Sequence, residues 1–397
     1  MFSRFSTLAR IPKGVWVLGG VSMLMDVSSE MIHSLLPLFM ATTLGASVII
    51  IGLIEGLAEA TALIIKVFSG VLSDYLGKRK GLALLGYGLG ALSKPLFAMA
   101  SSSGWVLGAR MVDRVGKGIR GAPRDALVAD VTPLEIRGAA FGLRQSLDTV
   151  GAFLGPLLAV ALMLLWHDDF QAIFWVAVIP GVLAIVLLFF GLQEPKSPIE
   201  HKRSNPITRA NLARMGRTYW WVVGLGAVFT LARFSEAFLV LRAQQMDIPL
   251  ALIPLVMVAM NLLYAVSAYP FGKLSDRMSH SNMLQAGLLV LIVADIVLAV
   301  STHWLGIVFG VALWGIHLGM TQGLLAAMIA NSAPADLRGT AFGMFNLMSG
   351  VALLIASLGA GILWETSGAA STFYAGAIIC VITLLGMRLA PAAYQKS

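Results

Sequence analysis

Stretches of about 20 apolar residues, separated by short polar loops, recur from one end of this chain to the other. Each is long enough to cross a hydrocarbon core of roughly 30 Å as a helix. About twelve such runs can be read off the sequence, in two sets of about six. A sustained alternation of polar and apolar residues, the mark of a membrane barrel, is missing, so the pattern predicts an all-α integral membrane protein. The first run, roughly Gly14 to Ala41, carries acids in its interior and is longer than a secretory core, so it reads as a retained span with no cleaved signal.

The polar punctuation repeats. Gly70-Val-Leu72-Ser73-Asp74 returns as Gly272-Lys-Leu274-Ser275-Asp276, and Pro133-Leu-Glu-Ile-Arg137-Gly138 returns as Pro334-Ala-Asp-Leu-Arg338-Gly339. Asp74 and Asp276 are 202 positions apart, Arg137 and Arg338 201. Two loops sharing one offset imply two equivalent halves, which in so apolar a chain points to a transporter. The expected organisation is a six-helix bundle over 1–192, a cytoplasmic linker over 193–219 and a second six-helix bundle over 220–397.

Composition agrees with a lipid environment. Hydrophobic residues make up 58% and charged residues 12% of the 397, against roughly 25% charged in soluble domains. The net charge of +8 raises the question of nucleic acid, but its distribution argues for no nucleic-acid partner. Arg4, Arg10 and Lys13 precede the first span, Lys78, Arg79 and Lys80 follow the second, and six basic residues from Lys196 to Arg217 fill the linker. The alternate loops near 42–47, 101–104, 167–171 and 301–303 carry no Lys or Arg. This bias predicts insertion in the plasma membrane, a bacterial inner or cytoplasmic membrane, with both termini and the linker in the cytoplasm. Arg242 is the outside exception. Cys380 is the sole cysteine, which rules out intrachain disulfides and cysteine-based metal sites.

The loop Gly70-Val-Leu72-Ser-Asp74-Tyr-Leu-Gly77-Lys78-Arg79-Lys80 resembles the loop signature of the major facilitator superfamily, departing from it at Tyr75, where arginine is usual. The second copy keeps Gly272, Asp276 and Arg277. The resemblance implies twelve transmembrane helices in two six-helix halves around a central cavity, lined by the first, fourth, seventh and tenth spans. It also implies a conformational latch, in which Asp74 faces the start of the eleventh span near Gly339 and Thr340. A carboxylate on the positive end of a helix is worth roughly 0.3 to 1 kcal/mol when exposed. Gly151-Ala-Phe-Leu-Gly155-Pro156 resembles the antiporter motif of exporters in this superfamily, with Ala159 and Val160 where glycines are usual. Arg114-Val-Gly-Lys117-Gly118 resembles the fourth-span motif of its proton antiporters, with Lys117 in place of the usual glutamine.

Charges inside the spans supply the candidate chemistry. Asp26, Glu30 and His33 fall on one helical stripe of the first span, and Arg110, Arg114 and Lys117 on one stripe of the fourth, with Asp113 and Arg120 beside them. Glu55, Glu59, Lys94, Asp148, Arg233, Glu236 and Asp295 are distributed over other spans, and His317 is isolated in the tenth. Each charge facing lipid would cost about 2.5 to 3.5 kcal/mol, so the set must face water or itself. Lys94 matches Glu55 in depth and reads as its ion-pair partner. Asp26 or Glu30 is the candidate carrier of a coupling proton, its proton affinity swinging as contact with Arg114 opens and closes. A static salt-bridge network is the competing reading.

The expected function is proton-coupled export of a small organic molecule, anionic or zwitterionic given the basic fourth span and Arg233. The alternatives are a proton symporter importing an organic anion, or a divalent metal exporter using Asp26, Glu30 and His33 as hard and imidazole ligands. No HExxH, GxSxG or Walker string is present, so no enzymatic activity is expected. The expected partners are a small-molecule substrate, protons and membrane lipid. No cofactor and no resident metal is assigned, and the protein is expected to be a monomer.

Overall fold

The computed structural model describes residues 10–76, 79–194, 212–275, 278–321, 323–334 and 337–388. Most of the linker and both extreme termini lie outside the described residues. The principal elements are α1 (Lys13–His33), α2 (Val48–Leu76), α3 (Arg79–Ala98), α4 (Ser103–Asp130), α5 (Arg137–Leu165), α6 (Phe170–Gly191), α7 (Arg217–Leu231) and α8 (Ala237–Gln244). They continue with α9 (Leu255–Ser275), α10 (His280–Val300), α11 (Trp304–Thr321), α12 (Leu324–Ser332), α13 (Arg338–Ser367) and α14 (Ala369–Arg388). No strand occurs among the described residues.

Among the described residues, ten segments are long and apolar enough to span a bilayer. Two of the spans expected from sequence are not among them, each for a physical reason. α4 has the length, 28 residues, but carries eight charged side chains from Arg110 to Asp130. The seventh span is broken: α7 stops at Leu231, α8 starts at Ala237, and Ala232–Glu236 between them is not helical. In the break the Ser235 amide donates to Ser357 Oγ at 3.2 Å.

Packing divides the chain into two compact units, Met1–Leu36 with Ile64–Ser204 and Pro37–Leu63 with Asn205–Ser397. α2 is one continuous helix of 29 residues that contributes to both. In the first unit α1 packs on α5 and α6, and α3 packs on α4 and α6. Val15, Leu18, Met25, Tyr87, Leu127 and Leu188 are central to its apolar core. Small residues let α3 and α4 touch through backbone: a Cβ on Gly116 would lie 2.6 Å from Gly86 O and 2.9 Å from Gly90 N. In the second unit α9 packs on α11, and α10 on α11 and α14.

Apolar residues on the outer surface mark contact with lipid. α6 buries Ile173, Phe174, Ala177, Ala184 and Leu188 on one face and exposes Ile179, Val182, Leu183, Val186 and Phe190 on the other, Phe190 at 78%. A helix apolar all round is stable with protein on one side only if the other meets acyl chains. Trp16, Trp105, Trp166 and Trp304 are all exposed, as suits aromatic anchors at a membrane interface. Arg242 is explained by its partners. Its guanidinium donates to Leu298 O at 3.0 Å, Ala299 O at 3.4 Å and Ser301 O at 2.7 Å, capping the C-terminus of α10, where a cation is favoured by the helix dipole.

Candidate functional site

The first unit gathers most of the intramembrane charges into one cluster. α1 presents Asp26, Glu30 and His33 in successive turns, and His33 is its last helical residue. α4 faces it with Arg110, Asp113, Arg114 and Arg120, all buried, while Lys117 on the same helix is exposed. His33 sits between the helices: its Nδ1 lies 3.6 Å from Glu30 Oε1, its Nε2 3.5 Å from Asp113 Oδ2, and Arg114 Nη2 donates to Nδ1 at 3.4 Å. Arg114 and Lys117 also act electrostatically on Glu30.

The cluster extends to a fully buried lysine on α3. Lys94 of α3 is completely buried, and its Nζ donates to Asp113 Oδ1 at 2.8 Å and to Ser29 Oγ at 3.0 Å. Ser93 Oγ donates to the same Asp113 oxygen at 3.3 Å. Asp113 therefore collects charge from three helices, and its contacts to Lys94 and Ser93 were not visible to depth matching along the sequence.

A second set of charges continues the α4 stripe. Arg124 Nη1 donates to Ser22 Oγ at 3.1 Å and lies 3.8 Å from Asp148 Oδ2, while Arg124 Nε meets Asp125 at 3.1 Å. Arg144 Nη1 bonds Asp148 at 2.5 Å, one turn along α5. Ser22 Oγ and Tyr87 OH are 3.0 Å apart, and the Arg120 guanidinium lies 4.8 Å from the Tyr87 ring centroid. Arg124, Asp125 and Arg144 are not among the candidates expected from sequence. The i, i+4 step from Arg120 to Arg124, and from Arg144 to Asp148, is the signal that would have found them.

Gly151 and Gly155 sit against the α1 acids. A Cβ on Gly151 would lie 2.6 Å from Met23 O and 2.9 Å from Asp26 Cβ; one on Gly155 would lie 2.6 Å from Glu30 Cβ and 3.0 Å from Val27 O. Pro156 is buried inside the continuous α5. These residues of the antiporter-like motif are what lets α5 close onto the stripe that carries Asp26 and Glu30.

Other expected site residues belong to the second unit. Glu59 is half-buried on α2. Arg233 and Glu236 fall in the α7–α8 break, with the Arg233 guanidinium 5.3 Å from the Phe229 ring centroid and Glu236 exposed. His317 of α11 is buried, its Nδ1 donates to Gly287 O at 2.7 Å, and its ring lies 5.6 Å from that of Phe229. Of the latch residues, Gly70 faces Ala122 of α4, whose Cβ would lie 3.5 Å from a Cβ added at 70, Gly272 is exposed, and Arg79 pairs with Asp130 at the end of α4. The Asp74 side chain, Gly77, Lys78, Asp276 and Arg277 lie outside the described residues. Among the described residues no group of three or more His, Cys, Asp or Glu is arranged to hold a metal ion.

Membrane-length helices that bury a charge cluster against one another define a polytopic membrane protein of the transport class. The chain matches the Major Facilitator Superfamily over residues 18–245 and 222–397. It is 34% identical over 382 residues to an uncharacterized MFS-type transporter of Methanocaldococcus jannaschii, covering 94% of each chain. It is 25% identical over 386 residues to the inner membrane transport protein YajR of Escherichia coli, covering 94% of this chain and 82% of that one. The fold also matches that of a POT family transporter solved in complex with 5-aminolevulinic acid, with a TM-score of 0.79 at 15% identity over 96% of both chains. The chain belongs to the Major Facilitator Superfamily and is a membrane transporter of small molecules.

Proposed function

We propose that this transporter is a proton-coupled exporter of a small organic anion or zwitterion, working by alternating access from the plasma membrane with both termini cytoplasmic, and acting as a monomer. The observation that carries this reading is the seating of Asp26 and Glu30 against Gly151 and Gly155. Two carboxylates on the helix face that α5 must close over are suited to couple proton binding to closure, because a proton changes their contacts with Arg114 and Lys117.

The excess of basic groups along α4 supports an acidic substrate. Arg110, Arg114, Lys117, Arg120 and Arg124 outnumber Asp113, Asp125 and Asp130 on the same helix. Guanidinium forks bind carboxylate or phosphate with two parallel hydrogen bonds. The same excess also favours the second reading, proton symport of an organic anion into the cell, which differs in the sign of coupling. Asp74 and Arg79, with Asp276 and Arg277 in the repeat, are assigned to the cytoplasmic latch, and Arg233, Glu236 and His317 to the cavity wall of the second unit.

The test is transport by the purified protein in proteoliposomes carrying a trapped pH dye. Counterflow with a panel of labelled carboxylates and amino acids identifies a substrate; its addition should then drive proton movement in the opposite direction for export and in the same direction for symport. Asp26→Asn or Glu30→Gln should retain counterflow and lose proton movement. Proton movement undiminished in both variants would remove the α1 acids from the coupling role.

A further inference from the structure

Away from the α1–α4 cluster, one ionisable side chain is sealed in the second unit with nothing to hold its charge. Asp295 of α10 is completely buried, and neither Oδ1 nor Oδ2 has a hydrogen-bond partner among the described residues. Its neighbour is Gly376 of α14: a Cβ there would lie 2.6 Å from Asp295 Oδ2 and 3.3 Å from the edge of the Phe234 ring. The absent side chain at 376 is the space that the carboxyl group occupies.

The surrounding wall is apolar and aromatic. Phe234 stacks with Phe238, Trp314 and Phe373 at centroid distances of 5.5, 5.4 and 5.6 Å. Cys380, buried one turn beyond Gly376 on α14, is the titratable group of that helix that feels the Asp295 carboxyl electrostatically. From the α7–α8 break, Arg233 is next in sequence to Phe234 and acts electrostatically on Cys380 and Glu236. From α11, His317 is bonded to Gly287 O, two turns earlier on α10. No cation or donor from any of these elements reaches the carboxyl oxygens.

An ionised carboxylate without donors in such a site is costly, whereas a neutral acid fills the same volume without a net charge. Among the described residues the site has one oxygen pair and no second hard ligand, which suits a proton and not a metal ion. We propose that Asp295 is a second proton-binding site of this transporter, screened by the Phe234 ring. On binding, a proton leaves a hydronium ion and bonds to a carboxyl oxygen, leaving water and the neutral acid; release reverses this to carboxylate and hydronium. The inference rests on the reading of the protein as proton-coupled, and it adds a site in the second unit to the acids of α1 in the first.

Infrared difference spectra of the purified protein in lipid nanodiscs, taken between acid and alkaline buffers, test it. The wild type should show the C=O stretch of a protonated carboxyl that Asp295→Asn loses. Cys380→Ala should shift that band and keep it, and Phe234→Ala should accelerate its exchange in heavy water. If Asp295→Asn fails to purify, Asp295→Glu, which keeps the acid and moves the band, carries the same reading. Superimposable spectra for the wild type and the Asp295 variants across the pH range overturn the proposal. The dye assay on Asp26→Asn and Glu30→Gln is independent: an Asp295 band with undiminished proton movement in those variants upholds this site and rejects the α1 acids.

Discussion

Lys94 and Asp113 form an ion pair inside the first unit, Nζ to Oδ1 at 2.8 Å, with side chains 0% and 2% exposed. Both charges are buried, and each is the other's shortest charged contact. Removing Lys94 leaves Asp113 only the longer contacts to Ser93, His33 and Arg114, and removing Asp113 leaves the buried Lys94 only Ser29, a loss of up to about 3 to 5 kcal/mol. Lys94→Met alone should lower the thermal unfolding midpoint in detergent sharply, and so should Asp113→Leu. The double variant should recover most of the loss, because apolar side chains of similar volume pack without the desolvation cost. Additive losses in the double variant would show that the two residues act separately.

Gly155 offers a test of helix closure. Alanine there must push α5 away from Glu30 and from the α1 backbone, an overpacking penalty of roughly 1 to 3 kcal/mol. Gly142→Ala, on the same helix with nothing within 4 Å, is the control. Counterflow should fall for the first and hold for the second; equal rates for both would mean that close approach at Gly155 is unimportant to transport.

The Tyr87 hydroxyl and ring separate two contributions. Tyr87→Phe removes the 3.0 Å contact to Ser22 while keeping the ring beside Arg120, and should cost about 0.5 to 1.5 kcal/mol. Tyr87→Leu also removes the cation–π contact and should cost roughly 0.5 to 2 kcal/mol more. Chemical unfolding of the three proteins compares them directly.

Arg242 is expected to be structural. Arg242→Ala uncovers the carbonyls at the end of α10 and should cost about 1 to 2 kcal/mol, with Arg242→Lys recovering part of it. Because the lost contacts lie at a helix end, amide exchange at the last turn of α10 should rise first. Uniform loss of protection throughout α10 would contradict the capping role.

What the sequence made legible was whatever depends on spacing along a single helix. The stripe of Asp26, Glu30 and His33 and the bases of α4 followed from the 3.6-residue period, and the repeated loops from a shared offset. Contacts that depend on how a helix is rotated about its own axis were hidden. Depth alone paired Lys94 with Glu55, whereas the rotation of α3 places its ammonium on Asp113 and Ser29. The break at Ala232–Glu236 was equally hidden, since Arg-Phe-Ser contains neither the glycine nor the proline that usually marks an interruption. Arg242 looked like a topological anomaly because its acceptors are 56 to 59 residues away. Asp295 was visible as a charge, but its isolation is a property of three other helices.

The charge load of α4 bears on how the protein is made. Eight ionisable side chains in 28 residues are far too many for a segment to partition into lipid unaided at about 2.5 to 3.5 kcal/mol each. The preceding helix, only a few residues away, brings the ammonium that neutralises Asp113. Biogenesis is therefore expected to release α3 and α4 into the bilayer as a hairpin, and a nascent chain truncated between them should leave α3 poorly inserted, with Lys94 still seeking its counter-ion.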